Sequence, residues 1–243
     1  MFSNSMFRLI SAFIGLALCV FAASAQVPMT GAGLGAPASG ITFSFGWTAG
    51  AVEASAGTTI TYSSLSFGTV DSNRIIAVVA CARMATVNTI SSMTIGGISA
   101  SAVSNTIAQT GGTNGSNCQM FQAAVPTGTT GSVVVTYGAA TARTGITVYR
   151  IVTGTTTATS SSSNNGSSNP LTCTLTLPGS GGGFVANWQS STTTATTWTN
   201  ATETYTATAA GSSRMSSATA TANNPGQTNA QASQVESCAA WGP

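Results

Sequence analysis

Residues 171–177 read Leu-Thr-Cys-Thr-Leu-Thr-Leu, with an apolar residue at every odd position and a threonine at every even position. Successive side chains of a β-strand point to opposite faces of the sheet, so this segment predicts a strand with one dry face and one hydroxylated face. Short β-branched and aromatic runs of similar length recur from residue 41 onward, separated by Gly, Asn, Ser and Pro. Short apolar runs bounded by turn-forming residues are typical of an all-β protein.

The mature chain contains about eleven such runs, and no segment after the N-terminal region has the sustained i, i+3, i+4 apolar spacing of a helix. That number of strands can form two sheets packed face to face, so we predict one antiparallel, jelly-roll-like β-sandwich domain over residues 41–243. The tract SSSSNNGSSNP at 160–170 is interpreted as an exposed loop. The predicted strands cover 41–47, 58–67, 74–83, 89–103 with a break at Gly96-Gly97, 117–125, 131–138, 144–152, 171–177, 182–189, 202–209 and 232–241.

Residues 1–25 have the composition of an export signal peptide. One Arg is followed by an apolar run, and Ala23 and Ala25 then form the small-x-small pattern that signal peptidase cleaves. We predict a mature chain that starts at Gln26, with a flexible Gly/Pro/Ala leader over 26–40. The alternative is a retained membrane anchor, but the apolar run is at the lower length limit for crossing a bilayer and no basic stop follows it. No stable membrane span is therefore expected after cleavage.

Four cysteines remain in the predicted mature chain: Cys81, Cys118, Cys173 and Cys238. An even number in an exported protein predicts two disulfides, and the sequence leaves the three possible connectivities open. The alternative is that some of the four are small buried apolar residues. A metal site is not expected, because no pair has CxxC spacing and the chain has no His to complete a coordination sphere.

The composition excludes most catalytic chemistry. Only 4% of the 243 residues are charged, and the chain contains neither His nor Lys. Histidine-dependent triads, dyads and zinc sites and lysine-dependent phosphate loops are therefore impossible, so we predict a protein that is not an enzyme and has no cofactor. The net charge is +2, and the few charged residues are scattered along the chain without forming a basic patch, which argues against a nucleic-acid partner. Ser and Thr make up about 30% of the residues and predict a neutral, hydroxylated surface.

Several segments together resemble β-sandwich proteins of alphaproteobacterial phages and prophages, most of which are uncharacterised or tail-associated structural proteins. The resemblance covers about residues 74–209 and includes Trp198-x4-Glu203-x-Tyr205 near its end. It implies a jelly-roll-like virion or surface module without catalytic residues, whereas an export signal is unusual in a tail component that assembles in the cytoplasm. The segments that carry it are RIIAVVACAR (74–83), SSMTIGGISASAV (91–103), MFQAAVPTGTTGSVVVTYG (120–138), RTGITVYRIVTG (143–154) and NPLTCTLTLPGSGGGFVA (169–186).

Aromatic residues are the candidates for ligand contact. Trp198 lies in a polar stretch and, with Tyr205, is a possible glycan-binding residue, whereas Trp188 ends an apolar run and is expected to be buried. Threonines at 202, 204, 206 and 208 predict one strand face made of a threonine ladder. Glu203 and Glu236 are the two acids of the C-terminal third, so a carboxylate-dependent glycoside hydrolase is kept as an unfavoured hypothesis.

The sequence thus predicts a non-enzymatic β-sandwich that is secreted or lies on a cell or virion surface and has a structural or adhesive role. We expect a homo-oligomer, because a neutral module lacks long-range steering and would gain affinity from multiple copies. The segment GSVVVTYG at 131–138 is predicted to be an exposed strand edge that permits strand addition between subunits. The alternative is a glycan-binding module for host or cell-surface recognition.

Overall fold

Every regular element in the described part of the chain is a β-strand, and every strand pair is antiparallel. The computed structural model describes residues 41–53, 56–112, 115–190, 192, 194–210, 212–228 and 234–243. The predicted all-β class is therefore confirmed, while the signal peptide, its cleavage site at Ala23, Ala25 and Gln26, and the leader lie outside the described residues. The strands are β1 (Ser44–Glu53), β2 (Gly57–Ser66), β3 (Arg74–Met84), β4 (Ile90–Ile95), β5 (Ile98–Ser99), β6 (Ser101–Ala102), β7 (Ala108–Thr110), β8 (Gly115–Ala124), β9 (Thr130–Val152), β10 (Ser160–Gly166), β11 (Leu171–Thr172), β12 (Gly182–Gln189), β13 (Thr197–Thr199), β14 (Ala201–Ala209), β15 (Ser213–Ala220), β16 (Gly226–Thr228) and β17 (Gln234–Trp241).

The longest strand, β9, organises a nine-stranded sheet. Its first half pairs with β2 and β4, and its second half pairs with β1 and β3. Val133 and Val135 from the first half and Ile146 and Val148 from the second half lie in one buried cluster. The two halves of β9 must therefore face each other, so the sheet curls around its own apolar core.

The prediction that 131–138 is an exposed strand edge is wrong. Val133 is the register partner of Tyr62 in β2 and also of Ile95 in β4. Both edges of this segment are therefore used in backbone pairing, and Val133 and Val135 are buried. The β-branched run correctly predicts a strand, but its composition carries no information about how many neighbours that strand has.

The five-stranded sheet, in the order β10-β17-β12-β15-β14, packs on the outer side of β3. Even-numbered residues of β3 such as Ile76 and Val78 face the curled core, and odd-numbered ones such as Ile75 and Val79 face Phe184 and other residues of this sheet. An almost continuous apolar run thus forms a strand that is buried on both faces.

A third apolar cluster covers the other face of the five-stranded sheet and contains residues of the alternating segment 171–177. Only Leu171–Thr172 pairs as a strand, yet Cys173 and Leu175 are buried, while Thr174 and Thr176 are exposed. The predicted alternation is therefore present without the predicted ladder over 171–177. Side chains replace the ladder: the Leu175 and Leu177 amides donate to Asn224 Oδ1 (3.1 Å) and Asn223 Oδ1 (2.8 Å), and the Thr176 amide donates to Ser160 Oγ (3.1 Å).

The serine tract is an edge strand rather than a loop. Residues Ser160–Gly166 form β10, which pairs with β17, so the loop interpretation is wrong for this part of the tract. Ser161 Oγ donates to the Ser104 carbonyl at 2.7 Å, and Ser163 Oγ donates to the Ile107 carbonyl at 2.8 Å. The serine side chains of this strand are held by hydrogen bonds to a neighbouring loop and not by apolar contacts. The strand therefore needs no apolar residues, and no hydrophobic pattern marks it in the sequence.

Two turns at one end of the nine-stranded sheet are joined by a buried arginine. Arg74 is 1% exposed, and its guanidinium donates only to backbone carbonyls. Buried charged donors are stable only when their hydrogen bonds are made, and here the carbonyls supply them. The acceptors are Phe67, Gly68 and Thr69 before β3 and Val125, Thr127 and Gly128 after β8.

The structure selects one of the three cysteine connectivities. Cys81 and Cys118 are register partners in β3 and β8 with Cα atoms 4.1 Å apart, and Cys173 and Cys238 have Cα atoms 6.2 Å apart. Both pairs are at disulfide distance, which fits an oxidising compartment. In the described residues there is no helix that could cross a membrane.

Candidate functional site

The two predicted glycan-contact residues lie in different places. Trp198 of β13 is partly buried against the cluster behind the five-stranded sheet, whereas Tyr205 of β14 packs against the cluster between the two large sheets. The structure therefore does not bring Trp198 and Tyr205 together. Trp188 is fully buried, as predicted.

A β-bulge in β14 separates the threonines that the sequence places on one face. The register shifts between Glu203 and Tyr205, and the Thr204 and Tyr149 hydroxyls are hydrogen-bonded at 2.6 Å within the inner cluster. Thr206 follows Tyr205, which packs inward, and therefore faces the other side. The predicted four-residue threonine ladder is wrong because the bulge inserts one unpaired residue in its middle.

Tyr205 has a different aromatic partner, Trp47 of β1. The two rings are stacked with centroids 6.3 Å apart and an interplanar angle of 23°. Trp47 is 39% exposed, and it belongs to a strand whose only pairing partner in the described structure is β9. The pair therefore places an indole ring on the surface where the edge strands of the two large sheets meet.

The position of the Trp47–Tyr205 pair depends on Gly50. A Cβ atom at Gly50 would lie 2.5 Å from the Tyr205 ring, so only glycine allows this ring to approach β1. Partial burial raises the pKa of the Tyr205 hydroxyl to about 12. A tyrosine hydroxyl is neutral at pH 7 with or without this shift and can donate a hydrogen bond. The arrangement is a preformed aromatic surface with a neutral polar group behind it.

A cleft of about 470 Å³ runs along the same part of β1. It includes Ser44, Trp47, Gly68 and Arg150. Arg150 is the register partner of Gly46, so its side chain leaves the sheet face opposite to that of the Trp47 ring. Arg150 Nε donates to the Thr69 carbonyl and Nη1 donates to Ser44 Oγ, both at 2.7 Å. The Trp47 ring thus lies on one face of β1, and the Arg150 guanidinium with the Ser44 hydroxyl lies on the other.

The two C-terminal acids are not arranged as a glycosidase pair. Glu203 is exposed and accepts a hydrogen bond from Ser216 Oγ at 2.9 Å, whereas Glu236 is completely buried in β17. Their strands are separated by β12 and β15, and three strand spacings amount to roughly 14 Å. Carboxyl groups of glycoside hydrolases lie about 5–9.5 Å apart, so this geometry does not support that chemistry.

Glu236 belongs to a cluster of buried polar side chains that the sequence does not predict. Asn187, its register partner in β12, and Gln189 lie on the same face of the sheet, and each has a buried side-chain oxygen without a hydrogen-bond partner among the described residues. Both carboxyl oxygens of Glu236 are in the same condition. Burial raises the pKa of the Glu236 carboxyl well above its usual range. No sequence pattern marks this group, because its residues are distributed over separate strands.

No protein-family model, curated protein or solved structure matches this chain.

Proposed function

We propose that this protein is an exported, non-enzymatic adhesive module that binds surface glycans through Trp47 and Tyr205. The observation that carries the proposal is the exposed indole of Trp47, which is held in place by stacking on Tyr205. A flat and partly exposed aromatic ring suits the apolar face of a sugar. Because the ring is preformed, little conformational entropy is lost on binding.

The proposed architecture is a jelly-roll-like β-sandwich. The apolar cluster shared by the nine-stranded and five-stranded sheets supports two layers packed face to face. The resemblance to phage and prophage β-sandwich proteins is consistent with a surface module, and the cysteine pairs are consistent with a secreted location or a virion surface.

A structural role in multiple copies is the second candidate. The edge strand β10 pairs only with β17 in the described structure, and a groove of about 660 Å³ runs beside Ser161, Ser162 and Ser163. Edge strands with unused backbone groups can pair with another chain. This observation supports association of copies of the protein through β10.

The test uses the mature chain on immobilised polysaccharides and a glycan array. We expect Trp47→Ala to weaken binding by at least about tenfold, as expected for loss of an aromatic contact worth more than 1.4 kcal/mol. The unfolding midpoint of this variant should fall less than that of Trp198→Ala, because Trp47 is 39% exposed, whereas Trp198 packs against a buried cluster.

Trp198→Ala is the matched control. It removes an indole that packs against the cluster behind the five-stranded sheet, so it should lower stability and leave glycan binding unchanged. Loss of binding in Trp198→Ala alone would move the site to β13 and contradict the proposal. Size-exclusion light scattering on the same samples separates the two candidates, since stable oligomers without glycan binding would favour the structural role.

A further inference from the structure

Arg150 of β9 is a half-buried arginine that lines the cleft of about 470 Å³ along β1. Its two hydrogen-bond acceptors, the Thr69 carbonyl and Ser44 Oγ, belong to residues of the same lining, so the guanidinium lies at the wall of the cleft. These bonds use Nε and Nη1, whereas Nη2 has no hydrogen-bond partner among the described residues. By contrast, every nitrogen of the Arg74 guanidinium donates to a carbonyl. Arg150 therefore keeps N–H donors for a ligand in the cleft.

Two glycines hold the Arg150 side chain in place and keep the space beside it open. A Cβ atom at Gly68 would lie 2.8 Å from Arg150 Cδ, and Gly68 has a φ of +69°, a conformation that favours glycine. Gly46 is the register partner of Arg150 and also lines the cleft, and a Cβ atom there would meet nothing within 4 Å. The guanidinium is thus positioned before a ligand binds, so little conformational entropy is lost on binding.

The cleft has an excess of positive charge. None of the described residues that line it is acidic. Burial lowers the pKa of Arg74, and the charge of Arg150 lowers it further, so two guanidinium groups lie close together at this end of the sheet. The nearby acid is Asp71, whose Oδ1 accepts the Asn73 amide at 2.8 Å within its own turn. Two positive charges beside one negative charge attract an anionic ligand.

The same cleft reaches the aromatic surface. Trp47 belongs to its lining, although the Trp47 ring and the Arg150 side chain lie on opposite faces of β1. Because β1 pairs only with β9 in the described structure, its outer edge is unpaired between these two faces. A glycan of several sugars that crosses this edge can contact the indole with one sugar and Arg150 with another.

We propose that the glycan is acidic and that Arg150 binds its carboxylate or sulfate group in the cleft along β1. This inference rests on the proposed glycan-binding function and names the class of ligand for it. The fork of a guanidinium donates paired hydrogen bonds to the oxygens of such groups, and these bonds are stronger than bonds to neutral hydroxyls. The Ser44 hydroxyl accepts from Arg150 and can donate its own proton to the same group.

The test compares polymers that share a backbone and differ in charge, at a constant ionic strength of about 0.15 M. The carboxylate arm uses polygalacturonate and its methyl ester, and the sulfate arm uses dextran sulfate and dextran. We expect the mature chain to bind an acidic polymer at least about tenfold more tightly than its neutral counterpart, as expected for one charge-assisted hydrogen bond. A preference in one arm alone identifies the anionic group, and a preference in both arms shows that either group is accepted.

Variants of Arg150 decide the assignment. Arg150→Gln should lower the affinity for the acidic polymer to that for the neutral one, and Arg150→Lys should keep part of the preference, because it retains the charge without the fork. Arg143→Gln is the matched control, since it removes the same charge from a residue of β9 outside the cleft lining and should leave the preference unchanged. An equal loss in Arg143→Gln and Arg150→Gln would show a general effect of net charge and overturn the assignment.

Thermal unfolding of each variant shows whether it is folded. If Arg150→Gln does not fold, Gly46→Leu tests the same site, because it fills the cleft without changing the charge and should also abolish the preference.

Failure of this inference is distinguishable from failure of the glycan proposal. Trp47→Ala should weaken binding to acidic and neutral polymers alike, whereas Arg150→Gln should affect the acidic polymers. Binding that depends on Trp47 but shows no preference for an acidic polymer would overturn the inference and leave the glycan function in place. Binding that depends on Arg150 but not on Trp47 would support the anion site and overturn the aromatic site.

Discussion

The buried ionisable side chains of this protein differ in whether their hydrogen bonds are made. Arg74 is the satisfied case, because its guanidinium has carbonyl acceptors from two turns. Glu236 is the opposite case, because its carboxyl oxygens have no hydrogen-bond partner among the described residues. Burial of either ionisable group affects the free energy of unfolding, since an unpaired charge is costly in the interior.

Glu236 should make stability depend on pH. Burial raises its folded-state pKa above the usual 4.5, so the native state holds a proton that the unfolded chain has already released. The free energy of unfolding should therefore be largest below pH 4.5 and fall as the pH rises toward the folded-state pKa, by up to about 1.4 kcal/mol per pH unit. Urea unfolding at pH 4.5, 6 and 8 measures this slope.

Glu236→Gln removes the ionisation while keeping the shape, so its free energy of unfolding should be nearly constant over that range. Glu203→Gln, at an exposed position of the same sheet, is the control and should keep the slope of the unmodified protein. A slope that survives in Glu236→Gln would show that another group is responsible.

The bounds and bulges of strands in this fold depend on their pairing partners as much as on their own residues. The break predicted at Gly96-Gly97 is confirmed, since both glycines have positive φ in the turn between β4 and β5. By contrast, β10 has no apolar residue that would reveal it, and the bulge in β14 is specified by its pairing with β15. Sequence patterns therefore miss the polar edge strand β10, whereas β14 is predicted at 202–209 and only its bulge is missed.

The contact between β1 and β14 can be tested through two glycines of β1. Gly50→Ala would place a methyl group 2.5 Å from the Tyr205 ring, so we expect a loss of about 1–3 kcal/mol and a displaced Tyr205. Gly46→Ala is the matched control, because a Cβ atom there meets nothing within 4 Å. Urea unfolding compares the two, and equal stability would contradict the described Gly50–Tyr205 contact.

At the scale of the whole molecule, the described residues form three apolar clusters: one inside the curled nine-stranded sheet, one between the two large sheets, and one on the other face of the five-stranded sheet. Each cysteine pair lies within one of these clusters. Cys81–Cys118 links adjacent strands of one sheet. Cys173–Cys238 links the irregular segment 171–177 to β17 of the five-stranded sheet. The second pair therefore fixes a layer that has little backbone pairing of its own.

The two pairs should differ in their local effect. The sequence separations of 65 and 37 residues give similar loop-entropy contributions of about 4 kcal/mol each to the free energy of unfolding. Cys173→Ala with Cys238→Ala should in addition increase amide exchange in 171–177, because this segment is held by few backbone bonds. Cys81→Ala with Cys118→Ala is the control, in which 171–177 should keep its protection. Unchanged exchange in 171–177 after loss of Cys173–Cys238 would contradict this account.

The sequence by itself determined the all-β class, the dry and wet faces of segments such as 171–177, and the burial of Trp188. These properties are local, because side-chain alternation and turn residues act over a few positions. Only the tertiary structure decided which cysteines pair, that 131–138 is a central strand, that Trp47 rather than Trp198 stands beside Tyr205, and that Arg150 lines the cleft along β1. Each of these depends on strand order and register, which bring together residues far apart in the chain and leave no periodic signal in it.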